Sequence, residues 1–193
     1  MMDIFDIDGA TDDGVRLLKT ALPAVVPAGA TPPEYGRFLP PDWRDDQYAR
    51  QAVGDRIGAL ERVGAKLFVD SRDDLTRMTP GQAAREQYRN ELERYASPRE
   101  WWRIATLPDG EPVGFVIPAH NGYNPIIAYL AVVPAHRGRG YIHDVLAAGT
   151  SVLAAQNVPR IRAATDVGNA PMAAAFARAG YVTFERQIDM TWR

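Results

Sequence analysis

Residues 132–142 read VVPAHRGRGYI, a glycine- and arginine-rich turn between two apolar segments. The apolar run from Pro125 to Val133 leads into the turn as a strand, and the helical pattern from Ile142 to Ala155 leads out of it. Glycine permits unusual backbone dihedrals and the close approach of a ligand. The first N–H groups of a helix lack partners within it, and the helix dipole adds positive potential there. The stretch therefore predicts an anion site that suits a pyrophosphate.

The composition indicates a globular chain of one domain, or of one domain with an appendage. It has 193 residues, 46% of them hydrophobic, and a net charge of -2, which gives no basic field for nucleic acid. Cysteine is absent, which excludes disulfides, thiolate metal sites and a cysteine nucleophile; we predict no metal site. No apolar run is long enough for a bilayer, and the acidic N-terminus does not resemble a signal peptide. We therefore expect a cytoplasmic protein without a membrane partner.

The first half of the chain gives a weaker pattern, in which helix and strand signals alternate with Pro- and Gly-rich segments. We predict a strand over 2–8 and a helix from Thr11 that Pro23, Pro27 and Gly29 end, with an extended loop over 23–42. An amphipathic helix over 45–63, a short strand over 66–70, and a helix from the capping box at Thr79 to about Tyr95 follow. We treat residues 1–75 as an N-terminal segment and 76–193 as the core. The N-terminal segment is either part of the core or an added element, in which case dimerisation is a natural use for it.

The second half predicts an antiparallel meander followed by two strand–helix steps. The elements are strands over 101–107, 113–118 and 126–133, a helix over 142–155, a strand over 160–165, a helix over 170–179 and a last strand or hairpin over 181–192. A right-handed crossover joins the third and fourth of these strands, so we expect them to be parallel.

Two motifs in this half resemble those of the GNAT N-acetyltransferases. Arg137, two residues and Gly140 match the acyl-CoA pyrophosphate loop of that family, whereas Ile142 replaces a residue that is normally small. Residues 169–181, NAPMAAAFARAGY, are similar to the GNAT segment that opens with Asn and closes with Gly and an aromatic residue. The resemblance covers roughly residues 101–193.

The resemblance implies an α/β (α+β) fold, with a mixed, mostly antiparallel twisted sheet, helices on both faces and splayed central strands that hold acyl-CoA. The implied co-substrate is acetyl-CoA. The residues implied in its binding are Val132, Val133, Arg137, Gly138, Arg139, Gly140, Tyr141, Ile142, Asn169 and Phe176. Arg137 would contact phosphate through its backbone and Arg139 through its side chain. Asn169 would contact the CoA arm, cap a helix, or do both.

The implied chemistry needs a polarised thioester carbonyl, a neutral amine and a proton for the leaving thiolate. By position, the Leu130 N–H would polarise the carbonyl and that of Val132 would pair with pantetheine. Phe176 replaces the Tyr that protonates the thiolate in the family, so Tyr129 and Tyr141 become the candidate donors, with a chain of water molecules as the alternative. No carboxylate lies on the strand over 126–133 to act as base.

The three histidines are formal base candidates, because imidazole titrates near neutrality. His120 lies in a loop that can line the substrate mouth. We expect surface positions beside the cofactor for His136 and His143.

The sequence thus predicts an N-acetyltransferase that moves an acetyl group to an amine of a small molecule or peptide by direct attack. The alternative is an acyl-CoA-binding module with little or no catalysis, which Phe176, Ile142 and the missing carboxylate favour. A phosphate or nucleotide binder of another α/β fold is disfavoured, because the chain has neither a P-loop ending nor a dinucleotide fingerprint.

Overall fold

A computed structural model describes residues 11–32, 35–63, 65–67, 78–90 and 92–192. Its helices are α1 (Thr11–Val25), α2 (Gln47–Arg62), α3 (Pro80–Asn90), α4 (Tyr141–Ala154) and α5 (Ala170–Arg178), and its strands are β1 (Tyr35–Leu39), β2 (Ala65–Leu67), β3 (Arg103–Thr106), β4 (Pro112–His120), β5 (Pro125–Val132), β6 (Arg162–Ala163) and β7 (Arg186–Trp192). The chain divides into two compact units, residues 1–69 with 183–193, and residues 70–182. The strand predicted over 2–8, the segment 71–77 and the boundary after residue 75 lie outside the described residues.

The first unit pairs two helices with a small antiparallel sheet. Its strands lie in the order β1, β7, β2. Leu18 of α1, Leu60 of α2 and Met190 of β7 form its buried centre. Thr11 donates a hydrogen bond to Asp55 at 3.1 Å, and Arg62 pairs with Asp12, so polar contacts also join α1 to α2.

Two predictions for this unit need correction. The predicted loop over 23–42 contains β1, which the sequence analysis missed because its pairing partner β7 lies about 150 residues further along. Helix α1 continues past Pro23 to Val25. The amphipathic helix predicted over 45–63 is confirmed as α2, and the Asp46 side chain caps it by accepting from the N–H groups of Tyr48 and Ala49.

The second unit contains a mixed, mostly antiparallel sheet in the order β3, β4, β5, β6. The three strands of the predicted meander are antiparallel, and β6 is parallel to β5, as the crossover rule predicts. Strand β6 is shorter than predicted, since it pairs with β5 only at Ile126–Arg162 and Ile127–Ala163.

Helix α4 packs across this sheet and forms the main core. Val145, Leu146 and Leu153 of α4 meet Val116 of β4 and Ile127 of β5. Phe176 of α5 joins the same cluster. Helix α3 begins at the predicted capping box, in which Thr79 and Gln82 exchange side chain to backbone hydrogen bonds at 2.9 and 3.3 Å.

Candidate functional site

The glycine-rich loop joins the end of β5 to the first turn of α4. Gly138 has a φ of 76° and Gly140 a φ of 87°, so both occupy the left-handed region that favours glycine. A Cβ built at either position has no heavy atom within 4 Å, so the space beside both glycines is open. Within the described residues, the N–H groups of 138–140 donate to no backbone carbonyl. The loop therefore presents free donors at a helix N-terminus, which suits a phosphate group.

The residues before these glycines hold the loop to the sheet. The Arg137 Nε donates to the Val132 carbonyl at 3.0 Å, and the Arg137 N–H donates to the Pro134 carbonyl at 3.3 Å. The backbone N–H that the sequence analysis assigned to phosphate is therefore used inside the loop. The Val133 N–H donates to the Val113 carbonyl at 2.8 Å, so Val133, a residue that is 40% exposed, can offer a ligand only its side chain and carbonyl.

The side chain of Arg139 is exposed and makes no hydrogen bond or ion pair with the rest of the described chain. It can supply charge to an anion without breaking an internal contact. Tyr141 and Ile142, the first residues of α4, are half-buried.

The last part of β5 has an open edge. Its pairing with β6 ends at Ile127, so in the described sheet residues 128–132 have a strand neighbour only in β4. In an antiparallel pair, residues alternate between positions that bond to the partner strand and positions that bond away from it. The Val133–Val113 bond sets this alternation, which directs the backbone groups of Leu130 and Val132 away from β4. The Val132 carbonyl is consistent with this direction, because it accepts a hydrogen bond from Arg137 and not from β4.

The two candidate proton donors lie on different elements. Tyr129 is 44% exposed on β5 and stacks on Phe115, with ring centroids 5.6 Å apart. Its neighbour Leu130 packs against the core beneath α4, so Tyr129 projects from the opposite face of the sheet. The Tyr141 ring instead meets the His136 ring edge-on at 6.1 Å.

The structure separates the three histidines. His143 is exposed, as predicted, and its Nε2 accepts from Arg178 at 3.3 Å. His120 accepts from the Gly122 N–H in the β4–β5 turn at 3.2 Å. His136 is only 5% exposed, so the surface position predicted for it is wrong.

The second motif forms α5 and the turn after it. Asn169 caps α5, because its side chain accepts from the Met172 N–H at 3.4 Å. Phe176 is 9% exposed and packs against Tyr181, whose hydroxyl shares a hydrogen bond with Thr150 of α4 at 2.9 Å. Burial raises the pKa of Tyr181, and the hydrogen bond with Thr150 offsets part of that rise. Nothing local to Thr150 or Tyr181 in the sequence indicates this contact, because the two residues are 31 positions apart.

Comparison with known proteins identifies the class. The model of the acetyltransferase (GNAT) domain family matches residues 59–182, which is more than half of the chain. The chain therefore belongs to the GNAT acetyltransferases. The match begins well before residue 101, where the motif resemblance begins, and so includes part of the first half. No curated protein sequence matches the chain.

One solved structure supports the fold, and a second shows only a weaker similarity. The GCN5-related N-acetyltransferase from Sphaerobacter thermophilus superposes with a TM-score of 0.51 at 14% identity, over 94% of this chain and 66% of that chain. The structure of AAC(6')-Iy in complex with the bisubstrate analogue CoA-S-monomethyl-acetylneamine has a TM-score of 0.39 at 18% identity, over 52% of this chain and 86% of that chain.

The fold class, the enzyme class and the co-substrate predicted from the sequence are confirmed: the protein is a GNAT acyltransferase with acetyl-CoA as co-substrate. The roles of individual site residues, the cytoplasmic location and the homodimer stay predictions. Among the described helices, none combines the length and the apolar character needed to cross a membrane.

Proposed function

We propose that this protein moves an acetyl group from acetyl-CoA to an amine of a small molecule or peptide, by direct attack of the amine on the thioester. One observation carries the proposal: the open edge of β5 leads straight into a loop with two left-handed glycines and free N–H donors. A strand edge and an anion cradle in series match a ligand with an amide-bearing arm and a pyrophosphate.

In this proposal the loop residues 138–142 bind the pyrophosphate and Arg139 adds charge. The N–H of Val132 pairs with the pantetheine arm, and that of Leu130 donates to the thioester oxygen as negative charge develops there. A donor aimed at such a charge is worth about 3–4 kcal/mol of barrier in well-studied enzymes. The direction of these two N–H groups, away from β4, supports both roles.

The leaving thiolate needs a proton from a residue other than Phe176, because Phe176 has no hydroxyl and is buried among apolar side chains. Tyr129 and Tyr141 are the candidates, because one adjoins Leu130 on β5 and the other ends the loop. Replacement of the true donor by Phe should lower kcat and leave the KM for acetyl-CoA nearly unchanged. Steady-state kinetics of Tyr129→Phe and Tyr141→Phe distinguish the two candidates. A kcat equal to that of the parent protein in both variants would exclude both tyrosines as the proton donor.

Calorimetric titration with acetyl-CoA tests the cofactor site. We expect micromolar binding to the parent protein and none to Gly140→Asp, which puts a negative side chain beside the proposed pyrophosphate. Gly122→Asp is the matched control, because Gly122 has a φ of 89° and no heavy atom within 4 Å of its built Cβ. It lies in the turn at the opposite end of β5, roughly 25 Å from the loop by strand rise. A folded parent protein that does not bind acetyl-CoA would overturn the proposal.

A screen of amine acceptors then tests acetyl transfer by measuring the free thiol released from acetyl-CoA. Free thiol released from acetyl-CoA only when an amine is present would support direct attack. Tight binding of acetyl-CoA without turnover across polyamines, aminoglycosides and peptide N-termini would instead favour a binding module, in line with Phe176 and the missing carboxylate on β5.

A further inference from the structure

His136 is the buried polar group of the loop that the proposed chemistry does not use. Its side chain is 6% exposed, and its Nε2 lies 3.0 Å from the Glu111 Oε1. Its Nδ1 is buried and has no hydrogen-bond partner among the described residues. Its backbone N–H donates to the Val133 carbonyl at 2.9 Å. His136, two residues before Gly138, is therefore fixed by both its main chain and its side chain.

Backbone hydrogen bonds hold Glu111 in place for this contact. It lies in the turn before β4, where its carbonyl accepts from the Leu107 N–H at 2.9 Å and its N–H donates to the Asp109 side chain at 3.1 Å. The contact between His136 and Glu111 thus joins the β3–β4 turn to the glycine-rich loop.

The contacts also assign the proton of the imidazole. A carboxylate accepts only, so the proton lies on Nε2 and is donated to Glu111. The nitrogen with a free lone pair is Nδ1, which is buried and has no hydrogen-bond partner among the described residues, so His136 is not placed to act as a base on a bound amine.

The loop itself has few other anchors. Gly138 and Gly140 have no side chains, and Arg139 makes no hydrogen bond or ion pair with the described chain. The position of the free N–H groups therefore depends on the two residues before them, His136 and Arg137, and on the start of α4.

We propose that the His136–Glu111 hydrogen bond positions the loop for the pyrophosphate, so that His136 is a positioning residue and not a catalytic base. This inference rests on the proposed acetyl-CoA site. It predicts that loss of the bond weakens only ligands that carry a pyrophosphate.

The experiment compares acetyl-CoA, by calorimetry, with S-acetylpantetheine, by ligand-observed NMR at millimolar concentration. Glu111→Ala should weaken acetyl-CoA binding about three- to tenfold, the range of one net hydrogen bond, and leave S-acetylpantetheine binding unchanged. Glu111→Gln should bind acetyl-CoA within about twofold of the parent, because the amide oxygen still accepts from Nε2–H. His136→Phe keeps a ring against Tyr141 and should match Glu111→Ala.

Asp109→Asn is the control for charge, since it removes one negative charge from the same turn and keeps an oxygen for the Glu111 N–H. It should bind acetyl-CoA as tightly as the parent or slightly more tightly. Glu111 is 55% exposed, so its variants report on the contact even where His136→Phe does not fold. Equal losses for both ligands would show a merely structural role and overturn the inference, as would unchanged or tighter acetyl-CoA binding by Glu111→Ala. A parent that binds S-acetylpantetheine but not acetyl-CoA, or neither, would instead defeat the proposed cofactor site.

Discussion

Replacement of Gly149 by Ala should destabilise the protein, although Ala is normally the better helix residue. Gly149 is a buried residue of α4, on the face that packs against the sheet. A Cβ at this position would lie 2.5 Å from the Val116 Cγ2 and 3.2 Å from the Ile127 Cδ1. Such distances force either the helix or the two side chains to move.

Two opposing effects set the size of the change. Ala in place of Gly in a helix interior gains about 1 kcal/mol of stability. Overpacking of a filled core typically costs 1–3 kcal/mol, and we expect about the upper end of that range here. Val116 is fully buried and β-branched, so its side chain has no free rotamer into which it can turn. The net loss should be about 1–2 kcal/mol, which lowers Tm by about 3–6 °C in a chain of this size.

Thermal and urea unfolding measure this change. Gly54→Ala is the control, because Gly54 is an exposed residue of α2 with no heavy atom within 4 Å of its built Cβ. It should raise Tm, since only the gain in helix propensity remains. In the double variant Gly149→Ala with Val116→Ala, the two changes should couple favourably, because the second removes the atoms that the new methyl group meets. A Gly149→Ala protein as stable as the Gly54→Ala protein would refute the packing described for α4.

Three further changes test other parts of the structure. Asp46→Ala removes the acceptor for two N–H groups at the start of α2, at 2.7 and 3.1 Å, and should lower the free energy of unfolding in urea by about 1 kcal/mol; an unchanged urea midpoint would contradict the cap. Burial raises the pKa of Tyr181, so the stability from its neutral, Thr150-bonded form is present below about pH 10 and is lost as pH rises through the native pKa. The parent protein should have a higher Tm than Tyr181→Phe at about pH 9, and this difference in Tm should shrink as the pH rises beyond about pH 10 towards about pH 11. A difference in Tm that stays constant over this range would contradict a stabilising role of the neutral Tyr181. Arg139→Gln should weaken acetyl-CoA binding at low salt, and the deficit should narrow at about 1 M salt because ions screen an exposed charge; a deficit independent of salt in calorimetry would exclude a charge contact.

Local signals sufficed for the part of the fold that holds the loop. The glycines at 138 and 140 mark a turn that few other residues can form, and the strand and helix beside them are apolar enough to be recognised alone. The capping box at Thr79 is likewise a contact between residues three positions apart. Each of these features depends on neighbours in the sequence, so the sequence predicts it.

Features that depend on distant partners were missed. Strand β1 lies in a Pro- and Gly-rich segment and owes its extended form to β7. The burial of His136 depends on Glu111, 25 residues earlier, and on the strand register that brings the two turns together. A histidine beside a glycine-rich loop gives no local sign of such a partner, so the sequence analysis placed it at the surface.

The open edge of β5 begins beside a bulge, and a proline in the neighbouring strand gives a physical reason for that bulge. Pro118 is a buried residue of β4, and proline cannot donate to a neighbouring strand, so within a sheet it favours bulges. The register shifts at that point: Ile117 faces Tyr129 and Pro118 faces Ile127, which leaves one extra residue in β5. A bulge bends its strand and increases the local twist. The pairing of β5 with β6 ends at Ile127, next to this bulge, so the edge proposed for pantetheine begins where the regular register of β5 is interrupted.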